Sequence, residues 1–334
     1  MKPYISVLIT AYNRRGYLRF AVKSVLNQNF DKPFEVIIIK NFEDPYVDKL
    51  SITKGNIKVL NLSNEPIGAY IARGLEEAEG EVVTFLDDDD AFRSNKLKYL
   101  YNIFSTNDNI GYFHHLAYVI NSENKVIGES IGGPIKEIKL KLEDNLKSSY
   151  LCKLVNIGSI MSSIAVRRDV LIRWLPYLRK LFNSPDLFVT LAAFYSGVTL
   201  LHEPIKLAYY RVHGNQVSLP WSQSIEVLKV RFMRSSIMNY YGFEYLRSVF
   251  RELDKIPLWC NPLGGYSYNV VGLVLRGADR RKVLRVSSYA LLRGLMDRSP
   301  WRVLSGFLGL LYQLDGGFVR YLINKYYVIR YGLS

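Results

Sequence analysis

The sequence predicts an α/β fold in which a mostly parallel sheet is flanked by helices, followed by a mainly helical, basic C-terminal region. Two observations predict it. Over residues 1–92, short runs rich in Val, Ile and Leu alternate with segments of helical periodicity, which is the pattern of βαβ units. From about residue 222 onward, the periodicity is predominantly helical. We therefore expect an α/β domain over residues 1–218 and a helical region over residues 219–334.

The first strands and helices follow one another along the chain. Residues 4–11 are apolar and β-branched nearly throughout, which is typical of a strand buried on both faces of a parallel sheet. Similar runs predict further strands at 34–39, 57–62 and 82–86. Apolar residues three to four positions apart predict helices at 17–26 and 67–78. Because strands alternate with helices, right-handed crossovers should join parallel neighbours.

After residue 90 the expected elements are more mixed. Ser94 is the expected N-cap of a helix that runs through Phe104. A strand pair and an irregular charged segment should follow, at 111–120 with 125–129 and at 132–149. The last expected elements before the helical region are helices at 168–182 and 186–195 and strands at 198–201 and 205–210.

Composition excludes several classes of protein. A hydrophobic content of 49% over 334 residues excludes a mostly disordered chain. The two cysteines, Cys152 and Cys260, are too few for a disulfide framework and fit a reducing compartment. The N-terminus lacks the pattern of a secretory leader, and no apolar run reaches the roughly 20 residues of a spanning helix. We therefore expect a cytoplasmic protein without a transmembrane helix.

Positive charge is concentrated in the C-terminal region. Residues 219–334 hold 17 Lys and Arg against 7 Asp and Glu, a net charge of +10 out of +14 for the whole chain. Arginines interleaved with aromatic and apolar residues favour an anionic surface, either lipid headgroups or nucleic acid. No nucleic-acid-binding motif accompanies the charge, so no nucleic-acid partner is expected. A solvated basic helical face is the alternative.

Basic and apolar side chains of this region are the candidates for a surface that lies on anionic lipid without crossing it. They are Arg276, Arg280, Arg281, Arg285, Trp301, Phe307 and Leu311. A packing appendage or a homodimer interface is the competing interpretation. The sequence thus predicts a protein that is peripheral at the inner face of a membrane.

Four consecutive aspartates, Asp87 to Asp90, follow the apolar run 82–86. Like charges at successive positions repel one another, so a fold tolerates them most easily beside a cation or in full solvent. Carboxylates at alternate positions, such as Asp87 and Asp89, can point to the same side of an extended chain and share one Mg²⁺ or Mn²⁺. Strand ends in open α/β sheets also bind ligands. A solvated acidic loop is the alternative.

Four local patterns occur in order along residues 6–218. They are Ser6-Val-Leu-Ile-Thr-Ala-Tyr-Asn-Arg14, Asn64-Glu-Pro-Ile-Gly68 followed by Ala72-Arg73-Gly74, Phe85-Leu-Asp-Asp-Asp-Asp90, and Tyr210-Arg-Val-His-Gly-Asn-Gln-Val-Ser218. Together they resemble the family-2 glycosyltransferases with the GT-A fold. The resemblance implies a Rossmann-like sheet in a catalytic domain over residues 1–218. It also implies an inverting, metal-dependent transferase that uses a nucleotide-diphosphate sugar of the UDP or GDP type.

The resemblance assigns roles to the matching positions. Asp89 is the expected metal carboxylate, and Asp87 would share the Mn²⁺ or Mg²⁺ through water or bind the ribose. His213 would reach the metal or the diphosphate from the opposite side, although a purely structural histidine is the alternative. Asp88 and Asp90 rank lower as metal ligands, and the exact ligand among Asp87 to Asp90 stays open. Nucleotide-sugar binding is expected of Thr10, Ala11, Tyr12, Asn13, Arg14, Asn41, Gly68, Arg73, Asp87 and Asp88.

Inverting transfer also needs a general base for the acceptor hydroxyl. In the family this base is an aspartate, often in a Glu-Asp pair that opens a helix. Here Asp186 takes that place, and Pro185 stands where the acidic neighbour is usual. The alternative is that Asp186 only caps the helix or balances its dipole. On the acceptor side the candidate residues are Ser162, Ser163 and His115.

Two departures from the family pattern bear on function. The family's second strand commonly ends in an aspartate that recognises the base, whereas here Lys40-Asn41 stands, so Asn41, Glu43 or Asp44 would have to substitute. The Gln-x-x-Arg-Trp motif of processive synthases is absent from the sequence, which favours transfer of one sugar at a time, to a lipid-linked or glycoconjugate hydroxyl acceptor. A nucleotide-sugar or glycan binding protein without catalysis is the alternative.

Overall fold

The computed structural model describes residues 2–13, 16–142, 154, 157–213, 234, 238–239, 241–250, 266–296 and 300–331. The chain forms two units, Met1–Val212 and His213–Ser334. Arg14, Cys152 and Cys260, which the sequence analysis singles out, lie outside the described ranges, as do residues 214–218 of the motif that ends at Ser218.

Within the described part of the first unit, ten strands form one sheet. They are β1 Ile5–Ala11, β2 Phe34–Lys40, β3 Ile57–Asn61, β4 Val82–Asp87, β5 Ala91–Phe92, β6 Ile110–Ile120, β7 Val126–Ile131, β8 Ile138–Leu140, β9 Ile164–Arg167 and β10 Thr199–Arg211. Their order is β3-β2-β1-β4-β9-β6-β10-β5, with β7 paired to β6 and β8 paired to β10.

Helices flank this sheet. They are α1 Leu18–Leu26, α2 Pro45–Thr53, α3 Ile67–Glu77, α4 Lys96–Thr106, α5 Arg168–Ile172, α6 Leu175–Leu178 and α7 Pro185–Tyr195, and a 3-10 turn, Met161–Ser163, precedes β9. The helices expected at 17–26 and 67–78 are therefore present as α1 and α3. Each buries the apolar face that its periodicity predicts, for example Ala21, Val22 and Val25 of α1.

The first four long strands form the parallel part of the sheet. β1 pairs in parallel with β2 and β4, and β2 pairs in parallel with β3. In this register Thr10 of β1 lies beside Ile39 of β2 and Asp87 of β4. The carboxyl ends of these strands therefore meet at one edge of the sheet, which is where open α/β sheets bind ligands. The predicted α/β class is confirmed.

The rest of the sheet is mixed. β9 lies between β4 and β6 and is antiparallel to both, whereas β6 and β10 are parallel to each other. The strands expected at 198–201 and 205–210 are one continuous strand, β10, with register shifts between Glu203 and Lys206. Pro204, which has no N–H to donate to the ladder, lies at this irregularity, so the sequence there looked like a strand boundary.

Two local predictions about helices are wrong. α4 begins at Lys96 after Asn95, so Ser94 is not its N-cap. The single helix expected over 168–182 is instead the pair α5 and α6. Pro176 lies in the first turn of α6. Its ring would clash with the carbonyl one turn earlier if α5 continued, so the chain ends one helix and starts another.

The second unit is helical, as the sequence predicts. Its long helices are α8 Tyr266–Arg276, α9 Arg280–Met296, α10 Pro300–Leu311 and α11 Gly316–Tyr331. Residues 241–249 are also helical. Apolar side chains of these helices form a buried interior, including Val270, Val274, Val283 and Val319, each with 0% exposure. Among the residues described, no helix combines the length and the apolar character needed to cross a membrane.

A candidate active site at the carboxyl edge of the sheet

Three carboxylates converge where β4 ends. Asp87 is the last residue of the strand, and the N–H of Asp90 donates to its carbonyl oxygen at 3.2 Å, which closes a turn. Asp87 is half-buried, whereas Asp89 and Asp90 are buried. One carboxylate oxygen from each of Asp87, Asp89 and Asp90 lies within 4.8 Å of the others. We call these three residues the carboxylate cluster.

The carboxylate cluster fits a divalent cation. Asp90 Oδ1 accepts a hydrogen bond from the N–H of Arg211 at 2.9 Å, but its buried Oδ2 has no hydrogen-bond partner among the described residues. Burial raises the pKa of Asp90 well above its usual range, and the charges of Asp89 and Asp87 raise it further. A hard cation would compensate both the burial and the repulsion, and carboxylate oxygens are its preferred ligands. The residues present therefore suit Mg²⁺ or Mn²⁺.

Arg211 holds the turn of the carboxylate cluster in place. Its Nε donates to the carbonyl oxygen of Asp89 at 2.7 Å, and its Nη1 donates to that of Asn121 at 2.8 Å. Its guanidinium carbon lies 4.4 Å from the ring centroid of Tyr17, at the start of α1. Arg211 is fully buried. One side chain thus links β10, the β6–β7 turn and α1 to the carboxylate cluster.

The predicted acceptor-side serines lie behind the carboxylate cluster. The N–H of Asp87 donates to Ser162 Oγ at 3.0 Å, and Lys96 Nζ donates to the carbonyl oxygen of Ser162 at 2.8 Å. Ser162, Ser163 and His115 each have 0% exposure. Burial lowers the pKa of His115 well below its usual range, so this imidazole is neutral. Ser162 thus supports the end of β4 from within, and contact of Ser162, Ser163 and His115 with an acceptor stays a prediction.

Asp186 lies in the first turn of α7. Its Oδ1 accepts the N–H of the next residue, Leu187, at 2.9 Å, and its Oδ2 accepts the N–H of Ile160 at 3.2 Å. The N-cap position of α7 is Ser184, so Asp186 is not the cap of the helix. Ile160 has a φ of 65°, a strained value for a β-branched residue. Burial raises the pKa of Asp186, and the two N–H donors partly offset this effect. The carboxylate is thus fixed beside the segment that carries Ser162.

Three asparagines form a hydrogen-bonded cluster at the ends of β1, β2 and β3. The N–H of Asn13 donates to Asn41 Oδ1 at 2.9 Å. Asn41 Nδ2 donates to Asn13 Oδ1 and to Asn64 Oδ1, each at 2.8 Å. We call these residues the asparagine cluster. Asn64 is missing from the residues that the sequence assigned to binding, although it opens the motif Asn64-Glu-Pro-Ile-Gly68 and could have been found there.

The remaining predicted nucleotide residues are placed differently. Tyr12 is 41% exposed, and its ring lies edge-to-face with Tyr70 at 5.8 Å between centroids. Asp44, a suggested substitute for the base-binding aspartate, caps α2 by accepting the N–H groups of Tyr46 and Val47. A capping carboxylate is already engaged, which makes Asn41 the better candidate.

Gly68 and Arg73 belong to α3 and have structural contacts. The N–H of Gly68 donates to the carbonyl oxygen of Leu181 at 2.8 Å. Arg73 forms an ion pair with Glu77 at 2.7 Å on its own helix. Their role in nucleotide binding stays a prediction. His213 begins the second unit, and its role also stays a prediction.

Comparison with known proteins supports the resemblance that the motifs indicate. Residues 6–170 match the sequence model of glycosyl transferase family 2. This part of the chain is therefore similar to that family. The carboxylate cluster and the asparagine cluster both fall within the matched residues, whereas Asp186 and Arg211 lie beyond them.

Curated relatives carry related names. An uncharacterized glycosyltransferase of Nostoc sp. is 31% identical over 219 residues, which cover 63% of this chain and 65% of the relative. A Campylobacter jejuni protein named GalNAc(5)-diNAcBac-PP-undecaprenol beta-1,3-glucosyltransferase is 33% identical over 157 residues, 44% of this chain and 49% of the relative. The match thus spans 65% or less of the length of these relatives.

A solved structure confirms the fold. The crystal structure of Staphylococcus aureus TarS 1–349 in complex with UDP-GlcNAc superposes with a TM-score of 0.53. The superposition covers 95% of this chain and 92% of that one at 18% sequence identity. At this identity the likeness shows the fold, and the expected GT-A type is confirmed.

Proposed function

We propose that the protein is an inverting glycosyltransferase that moves one sugar from a nucleotide-diphosphate sugar to a hydroxyl acceptor. The observation that carries the proposal is the carboxylate cluster at the carboxyl end of β4 in a chain similar to glycosyl transferase family 2. A sugar nucleotide leaves as a diphosphate, and the negative charge that builds on it needs stabilisation at such a site.

Asp87, Asp89 and Asp90 would hold Mn²⁺ or Mg²⁺. When bound, the cation neutralises the developing charge of the diphosphate leaving group. Arg211 keeps two of these residues in place, through the carbonyl oxygen of Asp89 and the carboxylate of Asp90. This support matters because carboxylates that repel one another would otherwise move apart before a ligand binds. Asp90 therefore joins Asp87 and Asp89 as a proposed ligand, and His213 remains a further candidate.

Asp186 would act as the general base. One of its carboxylate oxygens takes the proton of the acceptor hydroxyl while the acceptor oxygen forms a bond to the anomeric carbon. The bond from that carbon to the phosphate oxygen breaks, and its electron pair leaves with the diphosphate. A raised pKa makes this carboxylate a stronger base than an ordinary aspartate. The N–H groups of Ile160 and Leu187 fix its orientation.

The asparagine cluster favours a sugar donor whose nucleotide base is uracil or guanine. A backbone N–H can only donate, so the Asn41 atom that faces Asn13 N must be Oδ1. The two hydrogens of Asn41 Nδ2 are then directed to Asn13 and Asn64. Toward a ligand Asn41 offers the second lone pair of Oδ1. It can therefore accept a ring N–H, which uracil and guanine have, but it cannot donate to the ring N3 of cytosine.

The acceptor would be lipid-linked or part of a glycoconjugate, and transfer would take place at the cytoplasmic face of a membrane. The name of the Campylobacter jejuni relative, which specifies an undecaprenol diphosphate acceptor, supports this choice. The basic second unit supports a peripheral position at an anionic surface.

Nucleotide release from a panel of UDP, GDP and CDP sugars tests the proposal. We expect turnover with Mn²⁺ or Mg²⁺ that a chelator abolishes. Asp186→Asn should lower kcat by at least about 100-fold while metal-dependent nucleotide binding persists, since only the base is lost. Asp89→Ala should lose both binding and turnover. Asp108→Asn, at a fully exposed position, is the control.

Full activity in both Asp186→Asn and Asp89→Ala, with unchanged folding, would reject these assignments. Metal-dependent nucleotide binding by the wild type without turnover on any donor would instead favour the binding protein without catalysis.

A further inference from the structure

Helix α10 buries small residues and exposes three of its large apolar side chains. Ser305, Gly306 and Gly309 are buried. Leu304, Phe307 and Leu311 are 46%, 52% and 42% exposed. An ordinary amphipathic helix has the opposite arrangement, because burial of large apolar groups stabilises the fold. The packing of α10 therefore does not explain why its outer residues are apolar.

Close packing against α9 explains the small residues on the buried side of α10. A Cβ at Gly306 would lie 2.7 Å from the Cβ of Leu291, and one at Gly309 would lie 1.7 Å from the Oγ of Ser287. Both contact residues belong to α9. The glycines let α9 and α10 approach closely, so the buried side of α10 is occupied by its contact with α9.

The outer side is one continuous stripe. Positions 304, 307, 311 and 314 are three or four residues apart, so they fall on one side of a helix. Leu314, just beyond the end of α10, is 81% exposed. We call Leu304, Phe307, Leu311 and Leu314 the outer face. A row of large apolar side chains exposed to solvent is a common mark of a surface that binds a partner.

The charge of the surrounding helices indicates the partner. Residues 266–331 contain 11 Lys and Arg but only 3 Asp and Glu, a net charge of +8. Two of the acids are used as helix caps. Asp279 accepts the N–H of Arg281 at 3.0 Å, and Asp315 accepts the N–H of Gly317 at 2.8 Å. Arg285 pairs with Glu244 at 3.7 Å. The net charge of these helices nevertheless stays strongly positive.

We propose that the outer face docks on an anionic lipid surface. Leu304, Phe307, Leu311 and Leu314 would enter the interface between headgroups and acyl chains, while the arginines of α8, α9 and α11 attract anionic headgroups. A second copy of the chain fits less well, because it brings another +8 to the contact. Nucleic acid would use the arginines but not the outer face. The inference deepens the membrane part of the proposed function and does not depend on glycosyl transfer.

Vesicle sedimentation of the full chain tests the docking surface. We expect binding to phosphatidylcholine vesicles that contain phosphatidylglycerol, much weaker binding to phosphatidylcholine alone, and release at high salt. The double variant Phe307→Ser/Leu311→Ser should lower the partition coefficient by about tenfold or more, since two apolar side chains no longer insert. Ile52→Ser/Ile135→Ser is the matched control, because Ile52 and Ile135 of the first unit are 86% and 85% exposed.

Three outcomes would overturn the inference: no binding of the wild type to either vesicle, equal binding of the double variant, or equal loss in the control. Light scattering tests the alternative that the outer face binds a second copy of the chain. A wild-type dimer that the double variant converts to a monomer would assign the outer face to a second copy. Nucleotide release measured in detergent-free buffer without vesicles keeps the catalytic proposal separate, because docking variants should retain it.

Discussion

The amide of Asn41 can replace an aspartate because its hydrogens are already used. Asn13 and Asn64 accept both of them, so Asn41 presents an oxygen toward the site, as a carboxylate would. Asn13 can take part because asparagine tolerates its left-handed φ of 56° better than most residues. At the scale of single residues, Asn64 fixes the orientation of Asn41. If the proposed function is correct, selectivity for the base therefore depends on Asn64.

Removing Asn64 should relax the choice of base. In Asn64→Ala one Nδ2 hydrogen of Asn41 loses its acceptor and becomes available to a ring nitrogen acceptor such as N3 of cytosine. We expect the ratio of CDP to UDP dissociation constants to fall by about tenfold, which corresponds to the ~1.4 kcal/mol of one hydrogen bond. Isothermal titration calorimetry with both nucleotides measures this ratio.

Asn56→Ala is the matched control, because Asn56 precedes β3 at the opposite edge of the sheet and bonds the carbonyl oxygen of Phe34 at 3.3 Å. An unchanged ratio in Asn64→Ala, or the same change in Asn56→Ala, would contradict the orientation argument.

Among the secondary-structure elements, α3 packs closely against the backbone at the end of α6 and just beyond it. The N–H of Gly68 donates to Leu181, and a Cβ at Gly68 would lie 1.9 Å from the carbonyl oxygen of Leu178. Any side chain at this position must move one helix away from the other. This contact is the physical reason for a glycine in the motif Asn64-Glu-Pro-Ile-Gly68, and it positions the start of α3 near the asparagine cluster.

We therefore expect Gly68→Ala to destabilise the fold by about 1–3 kcal/mol, since a displaced backbone cannot adapt as a flexible side chain can. Urea unfolding measures the change in the free energy of unfolding. Gly55→Ala is the control, because a Cβ at Gly55 meets nothing within 4 Å. Equal stability of the two variants would show that α3 and α6 are not constrained at this contact.

Across the whole molecule, the functions assigned to the two units use opposite charge. In the proposed function the carboxylate cluster of the first unit would bind a cation, whereas residues 219–334, with a net charge of +10, would bind an anionic surface. Ligands of the first unit should therefore stabilise that unit without changing the helices of the second, because binding stabilises only the structure that binds.

Hydrogen exchange of the backbone amides, measured for separate segments of the chain, tests this expectation. At a concentration 100 times the dissociation constant, Mn²⁺ with UDP should stabilise the site by ~2.7 kcal/mol and slow exchange of the Asp90 and Arg211 amides by up to about 100-fold. Peptides from 266–331 should not change. Asp90→Asn should lose the effect, and Asp108→Asn should keep it. Equal slowing in Asp90→Asn would exclude Asp90 from the cation site.

Local sequence patterns predicted the strands β1 to β4, the helices α1 and α3, and the position of the four aspartates at a strand end, but they did not predict α2. Those features depend on local periodicity and propensity, which each segment carries alone. Only the tertiary structure decided that Asp90 joins the carboxylate cluster, that Asn64 orients Asn41, and that the outer face of α10 is exposed. The Arg211 N–H reaches Asp90 across 121 residues, and β9 enters the sheet between β4 and β6. Such contacts arise from packing between distant segments, which no local pattern encodes.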